Sequence, residues 1–95
     1  MDKRTEYAEK LSARMVEWDM QIDQLKIKAT SATPEAMLEY SKAIKALQLK
    51  RDEAALKLQN IPITSDDEWE VLKAGIDQIW NEITTMLRDL FKKVK

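Results

Sequence analysis

Apolar residues recur at alternating intervals of three and four along nearly the whole chain. The first series runs through Ala8, Leu11, Met15, Trp18, Ile22, Leu25 and Ala29. That spacing puts these side chains at a and d of successive heptads, the pattern of helices packed side by side at shallow angles. A second series comprises Met37, Tyr40, Ile44, Leu47, Arg51, Ala54, Leu58 and Ile61, with Arg51 its one charged member. The third contains Trp69, Leu72, Ile76, Ile79, Ile83, Met86 and Leu90. Here Trp80, Leu87 and Val94 add an e row, which widens the stripe into a face able to meet two neighbours. The third helix is therefore expected at the centre of the packing.

Two short segments break the repeat, Thr30 to Thr33 ahead of Pro34 and Asn60 to Ser65 around Pro62. Thr33, Pro34 and Glu35 read as N-cap, first helical residue and an acid at the positive end of the helix dipole. Ser65-Asp66-Asp67-Glu68 reads as a capping box, and Arg88, Lys92, Lys93 and Lys95 suit the negative pole of the last helix. Pro62 disfavours α geometry at Ile61, so the second helix should stop near Gln59 or Asn60. The predicted helices span 3–30, 34–60 and 66–93, each about 40 Å long. Connections this short favour antiparallel neighbours. The expected fold is all-α, an elongated antiparallel three-helix bundle with coiled-coil-like heptad packing, in one domain spanning 1–95. An alternative keeps the same helices but docks the third on a second chain, with Asn60 to Ser65 as the hinge.

Some positions do not suit a solitary bundle. An f position points away from the a/d seam, yet Met20 and Ile27 occupy f in the first helix and Leu49 and Leu56 in the second. Val16 and Leu38, at b, extend this outer apolar surface. Together these six residues form a candidate interaction surface, and self-association is its simplest use. Homo-oligomerisation is thus the expected partnership, with a different protein partner as the alternative; a lipid surface is conceivable and less favoured.

Composition narrows the chemistry. One glycine, two prolines, 35% charged and 44% hydrophobic residues describe long helices rather than tight turns. Histidine and cysteine are both absent, which removes the usual general base, thiolate or imidazole metal sites and disulfides. No glycine-rich phosphate loop and no convergent carboxylate cluster is present, so no enzyme activity, catalytic residue, metal or cofactor is expected. A formal charge of −1 without a basic stripe argues against nucleic acid. The segment from Met1 to Lys10 is charged throughout and no window approaches a membrane span, so a cytoplasmic location is the expectation.

Several residues have a bland and a sharp reading. Arg51 is best read as a seam arginine whose stem covers apolar surface while its head reaches an acid; a register-fixing role or a ligand-binding charge are the sharper options. Folding the second helix back on the third about Asn60 to Ser65 brings Arg51 level with Asp77, the candidate partner. Trp18, Trp69 and Trp80 read as core rather than as a stacking platform. Gly75 inside the third helix costs on the order of 1 kcal/mol relative to alanine, and close approach of a helix or a tryptophan ring would explain it. The i to i+4 pairs Asp19/Asp23 and Glu35/Glu39 read as solvated faces rather than cation sites.

Certain stretches carry a resemblance: Tyr7-Ala8-Glu9-Lys10-Leu11, Glu17-Trp18-Asp19 and Ile22-Asp23, then Arg51-Asp52-Glu53-Ala54, then Trp69-x-x-Leu72-Lys73-Ala74-Gly75 followed by Trp80. With these the chain resembles small bacterial coiled-coil proteins of about a hundred residues, mostly uncharacterised and sometimes linked to stress responses. The resemblance implies a helical fold and brings no activity, cofactor or catalytic residue with it. Met86, Leu87, Leu90 and Phe91 make the end of the third helix more apolar than that set would suggest, favouring a buried or partner-bound C-terminus. The expected function is therefore that of a non-enzymatic structural or interaction protein that self-assembles through long amphipathic helices. An apolipoprotein-like module that opens on lipid or on hydrophobic protein surfaces under stress is the alternative, motivated by the wide apolar face of the third helix and its Arg88-Asp89-Leu90-Phe91-Lys92-Lys93 ending.

Overall fold

Each helix starts and stops where local chemistry requires it. In the computed structural model, which describes residues 3–93, the helices are α1 (Lys3–Ala29), α2 (Pro34–Asn60) and α3 (Asp66–Lys93), with a single 3₁₀ turn at Ile61–Ile63. Val94 and Lys95, which the sequence pattern assigned to the e row and the basic end, lie outside the described residues. Backbone bonds from Thr30, Ser31 and Ala32 to carbonyls three residues earlier tighten the last turn of α1, so no residue with positive φ is needed to end it. Thr33 then caps α2 in extended geometry, its hydroxyl accepting from the Ala36 N–H at 3.2 Å, with Pro34 at the first helical position. Ser65 accepts from the Glu68 N–H at 3.3 Å and so forms its half of the capping box; among the described residues the Glu68 carboxylate does not return the bond.

Pro62 ends α2 at Asn60 as expected, but Ile61 itself keeps α geometry, with φ −55° and ψ −48°. The proline disfavours that region without forbidding it, and burial of the Ile61 side chain at the end of the seam outweighs the preference. One tight turn results instead of a break.

The helices form an elongated all-α bundle of 49 × 20 × 18 Å. Contacts at both ends give the up-down-up order: Arg4 at the start of α1 donates to the Thr64 carbonyl before α3 at 2.6 Å, and Tyr40 near the start of α2 reaches the Lys93 carbonyl at 3.5 Å. α3 thus packs within its own chain. The core consists of Leu11, Met15, Trp18, Ile22 and Leu25 from α1, Ile44, Leu47 and Ala54 from α2, Ile61, and Ile76, Ile79, Ile83, Leu87 and Leu90 from α3. All but one of these sit at a or d of the repeat, while Met37, expected at an a position of α2, is left 42% exposed instead. Near the end of α3 the deeply buried position is Leu87, at e, while Met86, at d, is only partly covered. A straight helix drifts by about 20° per heptad relative to a strict seven-residue repeat, and the e row takes over as the seam rotates.

Backbone approach is closest around α2, although α3, the helix expected at the centre, buries five residues and α2 three. α2 approaches both neighbours closely, whereas α1 and α3 lie farther from each other. Residue size explains this. α2 offers Ala43, Ala54 and Ala55 to its neighbours, while the α1–α3 interface holds aromatic rings: Trp18 meets Trp80 edge to face at 5.9 Å, and Tyr7 meets Trp69 in the same way at 5.5 Å. Arg14 covers the Trp80 ring at 5.2 Å and Arg4 the Trp69 ring at 5.3 Å, so Trp18 is a core residue while Trp69 and Trp80 pack half-buried against the core under cationic lids.

Candidate interaction surface

The six outer apolar residues are all exposed: Val16 at 60%, Met20 at 59% and Ile27 at 69% in α1, and Leu38 at 59%, Leu49 at 66% and Leu56 at 63% in α2. They do not merge into one patch. In a three-rod bundle, outward positions on neighbouring helices face about a third of a turn apart, so the chain carries two separate stripes. Each is nearly straight, because Val16 to Ile27 and Leu38 to Leu49 both span about three whole helical turns, and Leu49 to Leu56 about two. Flanking charges differ between the stripes. On α1, Arg14 pairs with Glu17 at 3.1 Å and Lys26 with Asp23 at 4.0 Å. On α2, Lys42, Lys45 and Glu53 are exposed and make no ion pair with any described residue, while Asp52 lies 3.8 Å from Arg51.

Two further exposed apolar residues escaped the heptad reading, Ile63 at the turn and Val71 on α3, which line one shallow recess with Lys57 and Leu72. Val71 sits at c, an outer position to which the test applied at f and b extends directly. Nothing in the repeat points to Ile63, which follows the proline outside any heptad.

Arg51 does not meet Asp77. Its guanidinium makes a two-pronged bond to Asp19 of α1, Nε to Oδ1 at 2.9 Å and Nη2 to Oδ2 at 3.0 Å. Axial level was the wrong criterion, because flank decides. Asp77 lies on the side of α3 that faces α1, where it accepts from the Tyr7 hydroxyl and lies 3.9 Å from Lys73. α3 turns its other flank to α2, where Lys50 pairs with Glu82. The bland reading of Arg51 is the one realised: a half-buried arginine tying two helices together.

The electrostatics follow these pairings. Burial pushes the Tyr7 phenol well above the ordinary tyrosine value, and its hydrogen bond to Asp77 and the charge there push in the same direction. The bond between Lys50 and Glu82 holds the ammonium above its ordinary value and the carboxyl below its own. Gly75 is not pressed by a helix or a ring. A Cβ built there would meet only the Lys57 Nζ at 3.6 Å and Cε at 3.8 Å, ordinary contact distances.

No polar or charged side chain is buried among the described residues. None of their acidic side chains cluster in threes that would hold a metal ion, and no helix is long and apolar enough to cross a membrane. Compared with protein-family models, curated proteins and solved structures, the chain finds no match in any of the three. Surface geometry is therefore the guide to function.

Proposed function

We propose that this chain is a non-enzymatic structural or interaction protein that assembles with copies of itself through its outer apolar stripes. The observation that carries the reading is the pairing of a complete internal core with two straight rows of large apolar side chains left about 60–70% exposed. Such rows exceed the scattered single residues that monomers ordinarily leave wet. Covering one leucine of this exposure returns about 1–2 kcal/mol. The three leucines of α2 on each of two copies thus give about 6–12 kcal/mol, against an association cost of about 4–15 kcal/mol. Assembly is expected to be concentration-dependent, in the micromolar range or weaker.

The proposal extends to a cytoplasmic location and to the resemblance with small bacterial coiled-coil proteins, which rest on the sequence arguments given above. An opening, lipid-binding module has less support, because the apolar face of α3 that motivates it is turned into the core and would have to leave it. Sedimentation velocity at two protein concentrations tests the reading. A mass that rises with concentration, and falls for Leu49→Glu with Leu56→Glu or for Met20→Glu with Ile27→Glu, is expected; a monomer at every concentration refutes it.

A further inference from the structure

We infer that the assembling surface is the α2 stripe and that its occupant is the α2 stripe of a second copy, set antiparallel about a two-fold axis level with residue 48. The inference rests on the self-association reading above and names its geometry. In an antiparallel pair of identical helices, residue i lies level with the residue whose number completes a fixed sum, and each flank of one helix faces the same flank of the other. With the sum at 96, Leu49 meets its own copy close to the axis, a sum of 98. Leu38 meets Leu56 of the second copy, a sum of 94. A deviation of two shifts a pair by about 3 Å along the helix, within reach of a leucine side chain.

The charges obey the same sum. Lys42 and Glu53 lie on one flank of the stripe and add to 95; Lys45 and Asp52 lie on the other and add to 97. Each cation therefore faces an acid of the second copy, and two-fold symmetry repeats every pair. Lys42 and Lys45 are without an ion-pair partner among the described residues, Glu53 attracts Lys50 without forming an ion pair with it, and all four side chains are exposed. On the α1 stripe the acids beside Met20 and Ile27 are already engaged, Glu17 with Arg14 and Asp23 with Lys26 along their own helix. A sequence that puts apolar residues and both signs of charge at self-complementary levels is suited to an isologous contact.

A charge-exchange experiment tests this by sedimentation equilibrium, with circular dichroism to show that each variant stays helical. Lys42→Glu with Lys45→Glu makes the flanks wholly acidic, and Asp52→Lys with Glu53→Lys makes them wholly basic. Each variant alone is expected to self-associate at least about tenfold more weakly than the wild type, and an equimolar mixture of the two to recover association as a mixed dimer. Leu49→Glu should abolish the dimer. If the wild type stays monomeric up to about millimolar concentration, both this inference and the self-association reading fail. If the wild type associates, the α2 variants leave that unchanged and Met20→Glu with Ile27→Glu removes it, the reading stands and this inference is overturned.

Discussion

Gly75→Ala should make the protein more stable. Glycine inside a helix costs about 1 kcal/mol relative to alanine, because it surrenders more backbone freedom on folding. The cost is tolerated where a Cβ would collide with something, and here it would not. The nearest atoms to a Cβ at 75 belong to the flexible end of Lys57, at 3.6 and 3.8 Å, so alanine adds contact without displacing backbone or ring. No positive φ occurs among the described residues, so alanine meets no conformational penalty. The whole propensity difference of about 1 kcal/mol should appear as stability, raising Tm by about 4–8 °C for a domain of this size. Thermal and urea unfolding followed by circular dichroism measure it, at one fixed protein concentration because association shifts apparent stability. Ala74→Gly, at the exposed neighbouring position, is the control and should lower stability by a similar amount. A Gly75→Ala protein no more stable than the wild type, beside an Ala74→Gly protein destabilised as expected, would show that position 75 is crowded by something the isolated bundle does not contain.

The Tyr7 phenol is held above its unfolded value of about 10; the folded state keeps a proton the unfolded state releases, so stability from this group is complete below pH 10 and declines as pH rises beyond it. Tyr7→Phe should flatten that alkaline decline in urea titrations while costing about 1 kcal/mol at neutral pH, and an unchanged decline would refute the assignment. Arg51→Ala should cost about 1 kcal/mol, and a double-mutant cycle should find coupling to Asp19 and none to Asp77; the reverse result would overturn the pairing described here. Trp18→Ala, emptying the most deeply buried aromatic site, should cost about 3–5 kcal/mol and broaden or abolish cooperative unfolding, whereas Val71→Ala, at 75% exposure, should change Tm little.

Helix existence, boundaries and most of the core were legible in the chain because they rest on local signals: a proline and a threonine at the start of α2, a serine before three acids at α3, and a three-four repeat that burial reproduces except at Met37 and Met86. What the repeat does not carry is distance and flank. It cannot tell that bulky rings at Tyr7, Trp18, Trp69 and Trp80 hold α1 off α3 while alanines draw α2 close, because heptad letters treat a tryptophan and an alanine alike. Nor can it choose between Asp19 and Asp77 for Arg51, since both lie within plausible axial reach and only the handedness of the bundle decides which flank meets which. The outer residues were legible individually, but their division into two stripes depends on the same three-dimensional turn. Arg4 falls at a d position one heptad before Leu11, ahead of the series that begins at Ala8; it ties the α2–α3 turn to α1 through the Thr64 carbonyl and Asp66.

α2 therefore faces competing demands. Its inward side must be small enough for two neighbours to close on it, which is why Ala54 sits fully buried there, and small side chains contribute little apolar area of their own. Its outward side carries Leu38, Leu49 and Leu56, larger residues than the seam alanines and of no use to the monomer's core. A helix selected only for the bundle would keep its large apolar residues, like Ile44 and Leu47, on the inner side and polar ones outside. The outer leucines make sense if the inner side sets the geometry of the three rods while the leucine side supplies apolar surface for contact with another molecule. On that argument, exchanging Leu49 and Leu56 for alanine leaves the unfolding free energy at low concentration within about 0.5 kcal/mol of the wild type while removing the concentration dependence of Tm, and a large loss of monomer stability would show that the outer leucines serve the fold itself.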